Sequence, residues 1–175
     1  MRTISAAVAA LAALAGAVYA QDKFDKYTLK TPSGIAFADF RGYEDWVTVS
    51  STNTPNDRLK VMVANPTMIK AYRAGIPGNG QPFPEGSKIV KLQWKIKKMA
   101  EAPFDANVPD TFAEVFLMQK DSKRFADSGG WGYAVFNYDP ATDKFTPTND
   151  PANCGFACHT PVKARDYIFH SYQKR

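Results

Sequence analysis

Three of the four cysteine and histidine residues in this chain lie within one six-residue segment near the C-terminus. The segment, Cys154–His159, reads C-G-F-A-C-H, and the other histidine is His170. Two cysteines followed directly by a histidine are typical of c-type haem attachment, in which each thiol adds to one vinyl group and the histidine coordinates the iron. The segment therefore predicts a fold that accommodates a large flat cofactor close to its C-terminal end.

The spacing of the cysteines leaves a second interpretation open. Three residues separate them, one more than in the usual arrangement, and we expect Gly155 to allow the extra residue as a bulge in a loop. The alternative is a disulfide between Cys154 and Cys158, as is common in exported proteins. A loop this short gains little chain entropy from closure, and a disulfide would give His159 no role. Zinc is disfavoured because these three residues lack a clear fourth ligand.

The N-terminus has the organisation of a secretory signal peptide. Arg2 precedes an apolar run from Ala6 to Ala17, and residues 18–20 (V-Y-A) offer small side chains for cleavage. The run is shorter than the roughly 20 residues that a spanning helix needs, although an uncleaved anchor is the alternative. We predict cleavage after Ala20 and a mature chain, residues 21–175, that is periplasmic or secreted and has no membrane span.

Charge and composition exclude one class of partner. The formal charge is +5, and loss of Arg2 with the signal peptide lowers it by one. The basic residues are spread along the chain without a cluster interleaved with aromatics, so we predict no nucleic-acid binding. The aromatic content of 13% suits a core built around a flat apolar cofactor.

Alternating apolar and polar residues predict five strands, at residues 46–50, 59–64, 88–97, 112–119 and 131–138. Asn65-Pro66 begins an internal helix that Gly75 ends, and Thr160-Pro161 begins a last helix to about Tyr172. Short connections favour antiparallel pairing. We therefore predict an α+β fold, mainly an antiparallel β-sheet, with one internal helix, a C-terminal helix after the haem segment, and the haem on one face of the sheet.

The chain resembles the cytochrome P-460 family, which includes the cytochromes c′-beta. The shared blocks run in order over most of the mature chain. They are Asn65-Pro66 with Ala71-Tyr72, residues 83–91 (FPEGSKIVK), residues 120–125 (KDSKRF), residues 130–133 (GWGY), and the Cys/His segment followed by Tyr167-Ile168-Phe169.

The resemblance implies one covalent haem c held by Cys154 and Cys158, with His159 as the metal ligand, in a β-rich protein that is usually a homodimer. It also implies an iron with one open face and therefore chemistry on small molecules. Cytochromes P-460 carry an additional lysine bond to the haem edge and oxidise hydroxylamine, with nitric oxide chemistry alongside, so an exported electron acceptor is expected. Cytochromes c′-beta lack that bond and bind nitric oxide in an apolar pocket.

Lys91 falls where the resemblance places the linked lysine, and Lys88 is the second candidate. Lys91 lies on the more polar face of its predicted strand, which also fits an ordinary solvated lysine. Leu92 replaces an expected acidic residue, and residues 61–64 (VMVA) lack an expected histidine. Glu85 and Glu114 are therefore the candidate carboxylates for accepting protons.

The sequence favours a protein that oxidises hydroxylamine or takes part in nitric oxide chemistry at an open iron face. A nitric oxide carrier or sensor without turnover is the alternative, and Trp94 or Phe116 over the open face would favour it. An electron-transfer cytochrome is the third hypothesis, and it needs a sixth iron ligand. The candidates for that ligand are Met62, Met68, Met99, Met118 and His170.

Overall fold

The structure is a computed structural model that describes residues 24–100, 104–149 and 151–173. The predicted signal peptide, residues 1–20, lies outside the described residues. Within the part of the chain that is described, no helix has the length and apolar character needed to cross a membrane.

Six antiparallel strands form one sheet in which sequence neighbours are also spatial neighbours. The strands are β1 (Val47–Thr54), β2 (Arg58–Ala64), β3 (Lys88–Met99), β4 (Ala106–Lys120), β5 (Trp131–Asp139) and β6 (Lys144–Pro147). The first five match the predicted strands. The sixth lies in a region predicted as a loop, where a short hairpin pairs Asp139 with Lys144.

The internal helix α1 (Pro66–Arg73) begins as predicted. The Asn65 side chain accepts a hydrogen bond from the Met68 amide at 3.1 Å, and Pro66 occupies the first turn, where a missing N–H costs nothing. Gly75 follows the helix in the left-handed conformation, with φ +93°. One side of α1 is buried against the sheet.

The C-terminal helix has limits different from the predicted Thr160–Tyr172. The α-helix, α2, spans Pro151–His159 and contains the Cys/His segment itself, and a 3₁₀ helix at Thr160–Arg165 follows it. Asp166 and Tyr167 then adopt positive φ values of 49° and 63°, which end the helical path. The predicted α+β class, antiparallel sheet, internal helix and C-terminal helix are confirmed.

Both faces of the sheet are covered, by different parts of the chain. Because side chains alternate along a strand, one face carries Val63, Val90, Val115, Leu117 and Phe136, which pack with residues 35–43 of the N-terminal segment. The opposite face carries Met62, Ile89, Met118 and Tyr133, which pack with α1 and with Ile168 near the C-terminus. The second face holds the candidate site.

Candidate functional site

Helix α2 packs closely on β5 at Gly155. A Cβ built on Gly155 would lie 2.6 Å from the Cβ of Tyr133, a distance that real side chains do not tolerate. The predicted bulge at Gly155 is therefore wrong, because the residue lies within a continuous helix and its missing side chain allows close packing.

The helix accounts for the wider spacing of the cysteines. Residues four apart lie on one side of a helix, so the three intervening residues bring Cys154 and Cys158 to the same face. Both thiols are free and exposed in this structure. With only two intervening residues the separation would be three positions, which also gives a shared face, so a helical segment accepts either spacing.

His159 ends α2 and is held by its surroundings. Its Nδ1 atom lies 2.6 Å from the carbonyl oxygen of Tyr167, which can only accept, so Nδ1 carries the proton and Nε2 keeps a lone pair. The rings of Tyr133 and Phe169 lie 5.3 and 4.9 Å from the imidazole, measured between ring centres. Burial lowers the pKa of His159, with the Tyr167 hydrogen bond opposing this effect. A neutral imidazole of fixed tautomer is the form that binds metals.

A cavity of about 620 Å³ lies beside this helix on the sheet. Its floor is mostly apolar, and a polar rim is formed at the β1–β2 hairpin by Thr52, Asn53, Thr54 and Lys60. The other side chains relevant to the site are Met62, Ile89, Lys91, Phe116, Met118, Tyr133, Cys158, His159, Ile168, Phe169 and His170. The volume falls in the range of about 300–1,000 Å³ that is common for cofactor sites.

Lys91 lines the same cavity as Cys158 and His159, so it is half-buried rather than solvated. It pairs with Met62 on β2 and with Phe116 on β4, and its Nζ atom lies 3.5 Å from the centre of the Phe116 ring. Burial lowers the pKa of Lys91 to about 8, the Lys60 charge acts in the same direction, and Glu114 opposes both. A larger fraction of this amine is therefore neutral and nucleophilic near neutral pH than for a solvated lysine.

Two other candidates lie away from the cavity. The Lys88 ammonium donates a hydrogen bond to the carbonyl of Asp39, in a separate surface cleft. The Glu85 carboxylate accepts hydrogen bonds from the Ser122 amide and hydroxyl at 3.0 and 2.5 Å and lines that same cleft. Of the two lysines, only Lys91 is positioned to meet a group bound beside His159.

Glu114 and the two aromatic candidates, Trp94 and Phe116, lie at different distances from the cavity. Glu114 lies on β4 two residues before Phe116, and its carboxylate accepts a 2.5 Å hydrogen bond from Gln93. Phe116 lines the cavity, whereas Trp94 packs edge-on against Phe112, at 5.2 Å between ring centres, and does not line it. Phe116 therefore belongs to the cavity, and Glu114, which does not line it, lies close enough for its charge to act on the Lys91 amine.

Met62, Met118 and His170 line the cavity, whereas Met68 is a fully buried residue of α1 and Met99 ends β3. Met62 and Met118 are 3% and 8% exposed and belong to the core of this face. The three cavity residues thus stay candidates for a sixth ligand, and the other two methionines are placed elsewhere.

The residues present fit a haem. The imidazole offers one fixed lone pair, and the two thiols share a helix face from which Cys158 lines the cavity. The apolar floor with a cationic rim matches an apolar macrocycle that carries carboxylates. Neither Lys60 nor the Tyr167 carbonyl carries a local sequence pattern, so neither is predicted from the sequence.

These features define a haem-binding protein of α+β class. A family model described as Cytochrome P460 matches residues 40–170, which is most of the chain and includes Lys91, Cys154, Cys158 and His159. The chain belongs to the Cytochrome P460 family, and membership implies haem binding. No curated protein sequence matches the chain significantly.

Proposed function

We propose that this chain is an exported monohaem c-type protein that acts on small nitrogen species, hydroxylamine first among them, at an open iron face. Cys154 and Cys158 would hold the haem by thioether bonds, formed when each S–H adds across a vinyl group. His159 would bind the iron through Nε2. Export, a homodimer and an exported electron acceptor belong to the proposal on the signal-peptide pattern and the family resemblance alone.

The observation that carries the proposal is the position of Lys91. Its amine lines the cavity that Cys158 and His159 also line, it is half-buried, and burial lowers its pKa to about 8. A solvated lysine would be protonated and would not bond to a porphyrin edge. The placement thus supports the lysine link that distinguishes cytochromes P-460 from cytochromes c′-beta.

When bound, the haem supplies a redox-active iron and a free coordination position for a small nitrogen molecule. The chain's own residues exclude water and manage protons around that position. Met62, Ile89 and Met118 keep the floor apolar, and Glu114, whose charge acts on Lys91, would accept protons from hydroxylamine. Lys60 at the rim would meet the carboxylate groups of the haem.

A second function, binding of nitric oxide without turnover, is favoured by Phe116. Its ring lies over the Lys91 amine and lines the cavity, so it presents an apolar surface beside the reactive group. An apolar, confined site suits a neutral diatomic molecule better than a substrate that must lose protons.

The test is to express the chain with haem maturation factors and measure its denatured haem spectrum together with hydroxylamine-dependent reduction of an artificial acceptor. The lead proposal expects a spectrum displaced from that of an ordinary c-haem and sustained acceptor reduction. An ordinary c-haem spectrum with tight nitric oxide binding and no turnover would move the assignment to the second function. A six-coordinate ferrous spectrum would instead indicate electron transfer, with Met62, Met118 or His170 as the added ligand.

A further inference from the structure

A buried ion pair outside the cavity includes the residue that precedes Tyr167, whose carbonyl contacts His159. The Lys120 ammonium, at the end of β4, lies 2.7 Å from Asp166 Oδ1, and the two side chains are only 7% and 10% exposed. Lys120 also donates to the carbonyl of Gly129 at 3.0 Å. The other carboxylate oxygen, Oδ2, accepts a 2.7 Å hydrogen bond from the Phe83 amide. Both oxygens of Asp166 are therefore engaged by groups from distant parts of the chain.

The ion pair holds a turn with unusual backbone geometry. Asp166 and Tyr167 both adopt the left-handed conformation, which non-glycine residues enter only when their surroundings require it. Hydrogen bonds from the amides of Asp166 and Tyr167 to the carbonyls of Lys163 and Val162 close the turn at 3.0 and 3.2 Å. Aspartate enters the left-handed region more readily than most residues, but tyrosine does not, so we attribute the turn to the contacts of Asp166 together with the packing of Tyr167.

The Tyr167 side chain is fixed by close packing. A Cβ at Gly129 would lie 2.2 Å from Tyr167 Cε2, so the ring occupies the space that the glycine leaves free. The same ring packs against Phe156 of α2, at 5.6 Å between ring centres. Gly129 thus contacts both Lys120 and Tyr167. Its carbonyl accepts a hydrogen bond from Lys120, and its missing side chain leaves room for the Tyr167 ring.

These contacts together fix the orientation of the Tyr167 carbonyl group. The turn points the Tyr167 carbonyl at His159, where it accepts the 2.6 Å hydrogen bond from Nδ1. A hydrogen bond at this ring nitrogen fixes the tautomer and makes the opposite nitrogen a stronger donor to a metal.

We infer that Lys120 and Asp166 are positioning residues that set the electron donation of His159 to the haem iron, by holding the turn that aims the Tyr167 carbonyl at Nδ1. The inference rests on the proposed function, because it takes His159 as the iron ligand. Neither residue touches the cavity or the ligand site, and both act through the backbone of residue 167.

The test uses the haem-loaded protein with Lys120→Met and Asp166→Asn, and the readouts are the ferrous iron–histidine stretching band and the reduction potential. Loss of the Lys120–Asp166 ion pair should weaken the Nδ1 hydrogen bond of His159. The iron–histidine band should then move to lower wavenumber and the reduction potential should rise in both variants. Asp166→Asn keeps the side-chain size and can still accept from Phe83, so it provides the answer if Lys120→Met does not fold.

Two controls separate positioning from general stability. Lys123→Met removes an exposed lysine from the surface cleft that Lys88, Glu85 and Lys120 also line. It does not touch Asp166, so the band should not move. Phe40→Leu weakens the core on the opposite face of the sheet, so it should lower the thermal midpoint and leave the band in place. Folded Lys120→Met and Asp166→Asn proteins with unchanged band and potential would overturn the inference. A wild-type protein without any iron–histidine band would contradict the proposed function instead.

Discussion

Lys91 and Phe116 face each other across the β3–β4 pair, and the lysine Nζ atom lies 3.5 Å from the centre of the phenyl ring. The pair joins the two features on which the choice of function depends, a reactive amine and an apolar surface in one cavity. An ammonium over an aromatic ring is attracted to it, yet burial of the same group favours loss of its proton. The amine is therefore held in place while its charge is destabilised.

Replacing Lys91 by methionine should remove the lysine link and leave the thioethers intact. Methionine has similar length and an apolar end, so it suits the cavity. We expect the denatured haem spectrum to become that of an ordinary c-haem and the protein-haem mass to persist. Lys95→Met, an exposed position further along the same strand face, is the control and should retain the wild-type spectrum. An unchanged spectrum in Lys91→Met would exclude the link at this residue.

The stability of the haem-free chain should depend on pH through Lys91. Its pKa is about 8 when folded, against the ordinary 10.5, so the unfolded chain binds more protons between these values. Stability therefore rises with pH over this window. Below pH 8 the cost of burying the charge is fully present, and above pH 10.5 the amine is neutral in both states.

The measurement is the free energy of unfolding by denaturant at several pH values, for the wild type and for Lys91→Met as the reference without a titrating group. The wild type should gain stability relative to the variant from pH 8 upward. Parallel curves for the two proteins would show that Lys91 titrates normally.

Gly155→Ala should destabilise the fold although alanine is the better helix former. The added methyl would lie 2.6 Å from Tyr133, so α2 must move away from β5, at a cost of about 1–3 kcal/mol. Thermal unfolding and haem content after expression measure the effect. Ala157→Ser, at an exposed position of the same helix, should be nearly neutral. Equal stability of Gly155→Ala and wild type would mean that the helix does not pack here.

The two cysteines should contribute separately to attachment. Because Cys154 and Cys158 lie one helical turn apart, each can bond to the haem without the other. We expect Cys154→Ser and Cys158→Ser each to retain covalent haem through one thioether, with a shifted optical band, and the double variant to release its haem to acid–acetone. Complete release from either single variant would mean that one cysteine makes no bond.

The sequence predicts the first five strands well because their side chains alternate between two faces of the sheet. Each face packs against a different part of the chain, so the two sets of residues differ in character. It does not predict β6, since Lys144–Pro147 is four residues long, lies at the sheet edge and is paired only through its hairpin. Helix α2 is also not predicted, because its glycine and its short length weaken the helical pattern of apolar residues. Packing of Gly155 on Tyr133 stabilises this helix instead.

The site is partly visible in the sequence. Cys154, Cys158 and His159 carry a local pattern, and Lys91 depends on the family resemblance. Alternation separates the two faces of β3 but cannot say which face lines a cavity, so Lys91 appears solvated until α2 and the C-terminal segment are placed. The expected helix from Thr160 to Tyr172 is shortened because Asp166 turns to meet Lys120, a contact between residues 46 positions apart.

The most direct test of the account is the intact mass of the mature protein, measured after expression with haem maturation factors and after acid–acetone extraction. The account predicts a mass equal to residues 21–175 plus one haem, retained through the extraction, in a coloured protein. A colourless protein with the mass of its amino acids alone, less two hydrogens for a bond between Cys154 and Cys158, would contradict it.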